Sequence, residues 1–241
     1  MRPPIVHVFD DERELAHAAA EAIVFAARQA VAERGEFHWA LSGGSTPKRT
    51  YGVLAGTPFC ASFPWKRSHA WIGDERVVPQ DDPASNRRMI VDQLYRPASI
   101  DLASLHAYDT SIAPDAAASA YAASMASQLA DPPVLDLVLL GLGTDAHTAS
   151  WFPGSSFDDD RWVAATEEHA GYRRLTLTPT AVNAARRVLF LVSGESKRDA
   201  VERVFEGPRD PLNVPAQRVS AVDGQVMWLL VRDAAGHSFA D

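Results

Sequence analysis

The sequence predicts an α/β protein in which a mostly parallel β-sheet is covered by helices. Three observations favour this fold class: strand-like and helix-like patterns alternate along the chain, two apolar runs end directly in glycine-containing polar loops, and no repeat or low-complexity block interrupts the alternation. Alternation of this kind is typical of parallel sheets, because parallel strands are joined by helical crossovers. A chain of 241 residues can form one large domain or two small ones, and we expect a single α/β domain over residues 1–241.

The predicted strands are the short apolar runs of the chain, in order residues 5–9, 37–41, 70–72, 135–140, 174–178, 188–192 and 226–231. The predicted helices fill the stretches between them, in order residues 11–35, a helix that includes Pro47, a helix through Met89 and Leu94, residues 116–129 and residues 197–205. Asp11 and Glu14 have the spacing of a capping box, and Gly35 occupies the position of a C-terminal cap. Pro47 suits the first turn of its helix.

The overall composition is that of a globular protein with an acidic balance. Hydrophobic residues make up 46% of the chain and charged residues 22%, which gives no sign of disorder. The formal net charge of −8 argues against a general nucleic-acid-binding protein, which normally presents a basic face. An anionic small molecule needs only a local cluster of cations, and the cations in or beside the polar loops are Lys48, Arg76, Arg87, Arg88 and Lys197.

Cysteine usage and the N-terminal sequence indicate a cytoplasmic protein. Cys60 is the single cysteine, so the chain has no internal disulfide and no thiolate-rich metal site, and a reducing compartment is favoured. The N-terminal residues lack the apolar segment of a signal peptide, and no apolar run reaches the length of a membrane span. We therefore expect cytoplasmic localisation and no association with a membrane.

A Gly-Gly loop, residues 42–47, follows the second predicted strand and has the composition of an anion-binding site. Gly43 and Gly44 lack a Cβ and allow backbone N–H groups to converge, while Ser45 and Thr46 add hydroxyl groups at a helix N-terminus. A helix capped by Ser or Thr after a glycine turn explains the same residues. The loop has neither the Walker pattern nor the dinucleotide-binding pattern, so ATP and NAD are poorly supported.

A run of charged residues follows the third predicted strand. Asp74 and Glu75 precede Arg76, so the guanidinium can bind phosphate or carboxylate while an acid holds it in place. Arg87 and Arg88 follow two capping residues at the start of the next helix. A solvated charge run explains the first segment equally well.

The loop after the strand at residues 135–140 places a carboxylate two positions from an imidazole. Asp145 and His147 lie where an open α/β sheet usually carries its chemistry, directly after a buried strand. An ordinary imidazole deprotonates water near neutral pH, and a neighbouring carboxylate orients it. An Asp-x-His pair can also bind a metal, but no further ligand set accompanies it, and we expect no metal.

Four motifs, in order, resemble the signature of the 6-phosphogluconolactonase family. They are residues 42–47, residues 72–76 with 85–87, residues 141–154 and residues 193–197. The resemblance implies a Rossmann-like α/β fold, shared with glucosamine-6-phosphate isomerases and deaminases, with helices on both faces of the sheet and no nucleotide. It implies hydrolysis of 6-phospho-D-glucono-1,5-lactone to 6-phosphogluconate in the oxidative pentose phosphate pathway. No cofactor is implied, because the strained ester is already electrophilic.

The resemblance also implies a role for each matching residue. His147 takes a proton from the water that attacks the lactone carbonyl, and Asp145 orients the imidazole. The residues expected to hold the phosphate are Gly43, Gly44, Ser45, Arg87 and Lys197.

Three further residues are expected to bind the substrate. Thr46 adds a hydroxyl at the phosphate, Arg76 contacts the phosphate or the developing oxyanion, and Asp74 fixes Arg76 or a sugar hydroxyl. The expected partner is a phosphorylated sugar lactone, with no nucleic acid, and the protein is expected to be a monomer.

Two positions depart from the family's usual pattern. Ala146 stands where relatives usually carry glycine, and a left-handed backbone there costs a non-glycine residue about 1–2 kcal/mol. We therefore expect a negative φ at Ala146 or a slightly different loop. Trp151 replaces a more typical leucine, which alters the packing of the pocket but removes no proposed catalytic group.

Two alternative functions remain open. A sugar-phosphate isomerase or deaminase has the same phosphate loop but usually carries a Glu directly before the proline at position 153, where this chain has Phe152. A regulator that binds sugar phosphates without catalysis usually has a DNA-binding segment, and no basic helix-turn-helix region is left over here.

Overall fold

The computed structural model describes residues 3–129, 133–158, 160–236 and 239. Its strands are β1 (Ile5–Phe9), β2 (Phe37–Leu41), β3 (Ser68–Ile72), β4 (Asp74–Arg76), β5 (Leu105–His106), β6 (Leu137–Leu140), β7 (Val163–Ala165), β8 (Arg174–Leu177), β9 (Arg187–Val192) and β10 (Gln225–Val231). Its α-helices are α1 (Glu12–Arg34), α2 (Ser45–Leu54), α3 (Phe59–Ser62), α4 (Asn86–Ile90), α5 (Pro114–Gln128), α6 (Pro179–Asn183), α7 (Arg198–Phe205) and α8 (Arg232–Ala235).

Within the described residues, seven strands form one parallel sheet in the order β1-β10-β9-β6-β2-β3-β5. From β2 the chain proceeds to β3 and β5 at one edge, whereas from β6 it proceeds to β9 and β10 on the other side. The direction of progress therefore changes between β2 and β6, and ligands of open α/β sheets bind in the crevice at such a switch point. The predicted fold class, a mostly parallel sheet flanked by helices, is confirmed.

A second, antiparallel sheet of three strands, β4-β8-β7, was not predicted. The predicted strand at 174–178 belongs to this sheet and not to the main one. Its partner β4 lies in the run of charged residues after the third predicted strand, where no strand was predicted. The register pairs Arg76 with Arg174 and Asp74 with Thr176, so the small sheet aligns the charged segment after β3 with a strand about 100 residues later in the chain.

The boundaries of α1 follow from local chemistry. Asp11 Oδ1 accepts hydrogen bonds from the backbone N–H groups of Arg13 and Glu14, each at 2.8 Å, which satisfies donors that a helix N-terminus leaves unpaired. The helix ends at Gly35, whose φ of 88° is left-handed and whose N–H donates to the Val31 carbonyl. Both predicted caps are confirmed.

The core lies between the main sheet and its helices. Every residue of β2 and β6 is buried, as expected for central parallel strands covered by helices. Three tryptophans, Trp39, Trp71 and Trp151, are among the largest fully buried side chains. No helix of the described residues is long and apolar enough to cross a membrane.

Candidate active site

Four loops at the carboxyl ends of neighbouring parallel strands surround a cleft of about 200 Å³. They follow β2, β3, β6 and β9, which places their first residues at the same edge of the sheet. The residues that line the cleft are Ser42, Gly43, Gly44, Ser45, Thr46, Pro47, Asp74, Arg76, Asn86, Gly141, Leu142, Gly143, His147, Thr148, Ala149, Arg174, Leu191, Val192, Ser193 and Lys197. Segments far apart in sequence thus meet at the switch point.

The Gly-Gly loop wraps closely around its neighbours. A Cβ at Gly43 would lie 2.1 Å from Asn86 Oδ1, and Gly44 has a φ of 102°, so both positions depend on glycine. Helix α2 begins at Ser45, and no side chain caps it. The alternative prediction of a helix capped by Ser or Thr is therefore wrong, and the N-terminal turn of α2 presents its N–H groups at the cleft.

The hydroxyl groups of this loop are held by contacts across the sheet edge. Thr46 Oγ1 lies 2.8 Å from Ser193 Oγ, and the Tyr51 hydroxyl donates to the Ser42 carbonyl at 2.8 Å. Tyr51 is fully buried, and burial raises the pKa of its phenol far above the ordinary range. These hydrogen bonds support the conformation in which the loop faces the cleft.

Asp145 and His147 form a hydrogen-bonded pair beside the cleft. His147 Nδ1 lies 2.5 Å from Asp145 Oδ1, and the same oxygen accepts the His147 backbone N–H at 3.1 Å. An ionised carboxylate only accepts hydrogen bonds, so Nδ1 is the donor in this pair. Partial burial alone raises the pKa of Asp145, but the backbone N–H and ring of His147 outweigh it and hold the pKa below its ordinary value. Asp145 is not among the residues that line the cleft.

The loop that carries this pair keeps a left-handed turn without glycine. Ala146 has a φ of 67°, so the first expected alternative, a negative φ, is wrong, and the second, a slightly different loop, stays a prediction. Two hydrogen bonds hold the turn: Ala146 N–H donates to the Gly143 carbonyl, and Ala216 N–H donates to the Ala146 carbonyl, each at 3.0 Å. Packing around the fully buried Ala146 methyl group offsets the backbone strain.

Asp74 and Arg76 line the cleft, but they do not pair with each other. Arg76 Nη1 donates to the Ala84 carbonyl at 2.7 Å and to Asn86 Oδ1 at 3.2 Å. Asp74 Oδ2 accepts a hydrogen bond from Ser150 Oγ at 2.8 Å. Of the two roles expected for Asp74, fixing Arg76 therefore has no hydrogen bond to support it, whereas a role toward a sugar hydroxyl remains compatible with its place in the cleft.

Two predicted cations have different positions. Lys197 lines the cleft; burial lowers the pKa of its ammonium group, and Asp145 opposes that effect. Arg87 is not among the cleft residues. Its backbone N–H donates to Glu75 Oε2 at 2.8 Å, at the start of α4.

Two buried charged residues near the cleft have roles that the sequence did not indicate: Glu75 was expected only as one of two acids that could hold Arg76, and Arg174 was given no role. Glu75 is 3% exposed and accepts hydrogen bonds from three backbone N–H groups and one hydroxyl. Arg174 is 8% exposed and lines the cleft. The only signal for Arg174 is a charge at the start of a short strand-like segment, and nothing local links that segment to the other motifs.

A second group of titratable side chains lies near the amino ends of β2 and β3, away from the cleft. Glu36 Oε2 lies 3.5 Å from His38 Nε2 and 3.9 Å from His69 Nε2, which is close enough to hold a metal ion. The two imidazole rings are nearly parallel, with centroids 4.7 Å apart, so their in-plane lone pairs do not converge on one point. Trp71 Nε1 donates to His38 Nδ1 at 3.3 Å, so Nδ1 is the acceptor and the ring proton lies on Nε2. Nε2 is the nitrogen that faces Glu36 and that a metal would need as a ligand. This geometry does not suit a metal ion.

Comparisons with known proteins agree with one another. Residues 10–228 match the family described as glucosamine-6-phosphate isomerases/6-phosphogluconolactonase. A 6-phosphogluconolactonase of Synechocystis sp. is 37% identical over 238 residues, which cover 96% of this chain and 97% of that protein. The solved 6-phosphogluconolactonases of Trypanosoma brucei and Leishmania guyanensis are 30% and 29% identical, with TM-scores of 0.87 and 0.86 and 100% of both chains covered in each pair.

Proposed function

Since this chain belongs to the family of glucosamine-6-phosphate isomerases and 6-phosphogluconolactonases, we propose that it hydrolyses 6-phospho-D-glucono-1,5-lactone to 6-phosphogluconate. The relatives reported above are named 6-phosphogluconolactonases. One observation in the chain itself carries the proposal. The cleft has the imidazole of the His147–Asp145 pair on one side and, on the other, the helix N-terminus after the Gly-Gly loop, which no side chain caps.

The phosphate end of the substrate binds at the Gly-Gly loop in this proposal. The N–H groups at the start of α2 carry the positive end of the helix dipole, and Ser45 and Thr46 add hydroxyl donors. Lys197 supplies a full positive charge from the loop after β9. Arg87 was expected to join this group, but its position outside the cleft gives it a supporting role at α4.

The lactone end lies at His147. Water attacks carbonyl carbon C1 while His147 Nε2 takes one of its protons, which forms a tetrahedral intermediate and an imidazolium. The bond from C1 to the ring oxygen then breaks, and the imidazolium returns the proton to that oxygen. The open-chain acid loses its remaining proton to solvent, because an ordinary carboxyl pKa lies near 4.

Asp145 is a positioning residue in this mechanism. Its carboxylate accepts the Nδ1 proton of His147, which holds the lone pair of Nε2 toward the cleft and stabilises the imidazolium that forms. Arg76 lies where it can contact the phosphate or the oxyanion. The cleft residues of a single chain can fill each role assigned above, and we propose that a cytoplasmic monomer carries out the reaction without a cofactor.

The isomerase or deaminase alternative lacks a carboxylate at one expected position. Phe152 occupies the place directly before Pro153, and its ring stacks on His169 with centroids 3.8 Å apart. No acid is therefore available there to move a proton between C1 and C2. Release of ammonia from glucosamine 6-phosphate would contradict the lactonase proposal.

The His147→Ala variant tests the proposed chemistry. We expect kcat to fall by roughly a hundredfold or more, the usual contribution of an acid/base group, while KM stays nearly unchanged. The lactone is made in place by glucose-6-phosphate dehydrogenase, and its hydrolysis is followed by 6-phosphogluconate dehydrogenase against the spontaneous rate. His7→Ala, at an exposed position of β1, is the control and keeps full activity. Unchanged turnover in His147→Ala would rule out the mechanism.

A further inference from the structure

Arg174 is a buried cation without a polar partner. Only 8% of it is exposed, and its guanidinium makes no hydrogen bond or ion pair with any residue that the structure describes. Its Nε is buried and unsatisfied, as is the Nε of Arg76, the residue opposite it in the register of β4 and β8. Arg174 Cζ lies 4.7 Å from the centroid of the Phe152 ring.

Two adjacent, incompletely satisfied guanidinium groups are costly unless an anion joins them. Burial of a charged group without a counter-charge is strongly unfavourable, and like charges side by side add repulsion. Burial, and then the charge of Arg76, lower the pKa of Arg174, and Asp74 only partly opposes them. Because both arginines line the cleft, an anionic group of a ligand is the natural partner.

The position of Arg174 identifies which end of the ligand it faces. Its guanidinium and the His147 ring contact the same Phe152 side chain, at 4.7 Å and 4.8 Å between centres. Arg76, by contrast, is tied through Asn86 to the Gly-Gly loop. Arg174 therefore lies on the His147 side of the guanidinium pair, and Arg76 lies on the phosphate side.

We propose that Arg174 binds the C1 end of the substrate, where it stabilises the oxyanion of the tetrahedral intermediate and then the carboxylate of the product. This proposal rests on the proposed function and adds a residue to it that the sequence did not indicate. A planar guanidinium with two terminal nitrogens matches the two oxygens of a carboxylate. Phosphate binding by Arg174 is the competing outcome, and the experiment separates the two.

The experiment compares two ligands that differ at C1. 6-Phosphogluconate carries both a phosphate and a carboxylate, whereas glucitol 6-phosphate carries the phosphate and a neutral alcohol at C1. We expect Arg174→Met to weaken 6-phosphogluconate binding by about 10-fold to 100-fold, the range of a hydrogen bond to a charged group, and to change glucitol 6-phosphate binding by less than about twofold. Isothermal titration calorimetry measures both affinities. In the coupled assay we expect kcat of Arg174→Met to fall by about the same factor as its affinity for 6-phosphogluconate.

Arg173→Met is the matched control, because Arg173 precedes Arg174, is exposed and does not line the cleft. It should leave both affinities and kcat unchanged. Arg174→Gln repeats the measurement with a polar side chain, so that the test survives if Arg174→Met does not fold. An equal loss of affinity for both ligands would assign Arg174 to the phosphate. Unchanged affinity for both would give Arg174 a structural role only, and either result overturns the proposal.

The same measurements separate this inference from the proposed function. If the wild-type protein hydrolyses the lactone but the variants bind both ligands normally, only the role of Arg174 is wrong. If the wild-type protein does not hydrolyse the lactone, the proposed function fails, while a selective loss of 6-phosphogluconate binding in the variants still identifies Arg174 as a carboxylate-binding residue.

Discussion

At the scale of single residues, the His147–Asp145 pair depends on a glycine that has no functional group. A Cβ at Gly143 would lie 2.0 Å from His147 Nδ1 and 2.6 Å from Asp145 Oδ1, well inside van der Waals contact. The Gly143 N–H also donates to the His147 carbonyl at 2.8 Å. The backbone at Gly143 therefore folds directly against the hydrogen bond that orients the imidazole.

Gly143→Ala should separate the pair without removing either member. We expect kcat to fall by roughly a hundredfold, close to the loss from removing an acid/base group, while binding of glucitol 6-phosphate at the Gly-Gly loop persists. Steady-state kinetics and calorimetry measure the two effects. Gly52→Ala, at an exposed helix position where a Cβ meets nothing within 4 Å, is the control. Equal kcat values for the two variants would contradict the role given to Gly143.

The residues that sequence reasoning found are those whose partners lie nearby in the chain. Asp145 and His147 are two positions apart, and the six residues of the Gly-Gly loop are contiguous, so each motif was visible in one segment. Arg174 was missed because its role depends on its position opposite Arg76, which lies on another strand. At Ala146 the sequence left two alternatives, and the negative φ is excluded because one local and one tertiary hydrogen bond hold the residue at a positive φ.

At the scale of secondary-structure elements, Glu75 connects β4 to the N-terminus of α4. Its Oε1 accepts the N–H groups of Arg76 and Asn86 at 2.9 Å and 2.7 Å, and its Oε2 accepts the N–H of Arg87 at 2.8 Å and the Ser85 hydroxyl at 3.0 Å. Burial raises the pKa of Glu75, and these donors oppose the shift. One carboxylate thus satisfies the helix start that also places Asn86 against the Gly-Gly loop.

Glu75→Gln should destabilise the protein although it changes only one atom. The new NH₂ group faces donors that need an acceptor, and an unsatisfied buried polar group costs about 2 kcal/mol. For a chain of this size we expect Tm to fall by roughly 4–8 °C, as measured by differential scanning calorimetry. Glu168→Gln, at an exposed position, is the control. A Tm equal to that of the control would show that the carboxylate is not needed.

The predicted elements were correct where a local pattern defines them. The strands at 5–9 and 37–41 agree with β1 and β2 at both ends, and the caps of α1 follow from Asp11 and Gly35. The two-residue strand β5 and the three-residue strands β4 and β7 were missed, because such short segments become strands only through their partners. The helix through Met89 and Leu94 is α4 followed by a π-helical turn at Val91–Tyr95.

At the scale of the whole molecule, the parallel sheet separates two groups of titratable side chains. The cleft lies at the carboxyl ends of the strands, whereas His38 and His69 lie near the amino ends of β2 and β3, where their rings stack. His69 Nδ1 lies 3.4 Å from His106 Nε2 on β5. Burial, and then the charges of His69 and His38, lower the pKa of His106 to about 4. Burial, and then His69, also lower the pKa of His38, while Glu36 and Asp136 oppose the shift.

These imidazoles should make the fold sensitive to mild acid. A histidine with a lowered pKa binds fewer protons in the folded state than in the unfolded state, so its contribution to stability is present above the unfolded pKa of about 6.5 and is lost as the pH falls toward 4. After discounting for partial exposure, we expect His106 to account for about 1 kcal/mol of lost unfolding free energy between about pH 7.5 and about pH 5.

The His106→Asn variant isolates this effect. Urea unfolding of the wild-type protein and the variant at the two pH values gives four free energies, and the loss on acidification should be smaller in the variant. His7→Asn removes an exposed imidazole outside the group. On acidification it should lose as much unfolding free energy as the wild-type protein. Equal losses in all three proteins would show that His106 is not responsible.

The fold class followed from the alternation of elements, because that alternation reflects the parallel sheet itself. The order of the strands did not follow from the sequence, since it depends on contacts between segments such as β1 and β10, more than 200 residues apart. We propose that the two sheets form a single domain, because the small sheet places Arg174 in the cleft that the main sheet creates.

The position of the cleft outside the strand ends has an evolutionary consequence. The tightly packed interior and the reacting groups occupy different segments, so substitutions in the loops can redirect the chemistry while the scaffold continues to fold. A family whose name joins an isomerase to a lactonase has the diversity that such a division permits. In this chain, laboratory selection for new sugar-phosphate reactions should therefore accumulate changes in the four loops and leave the interior of the main sheet intact.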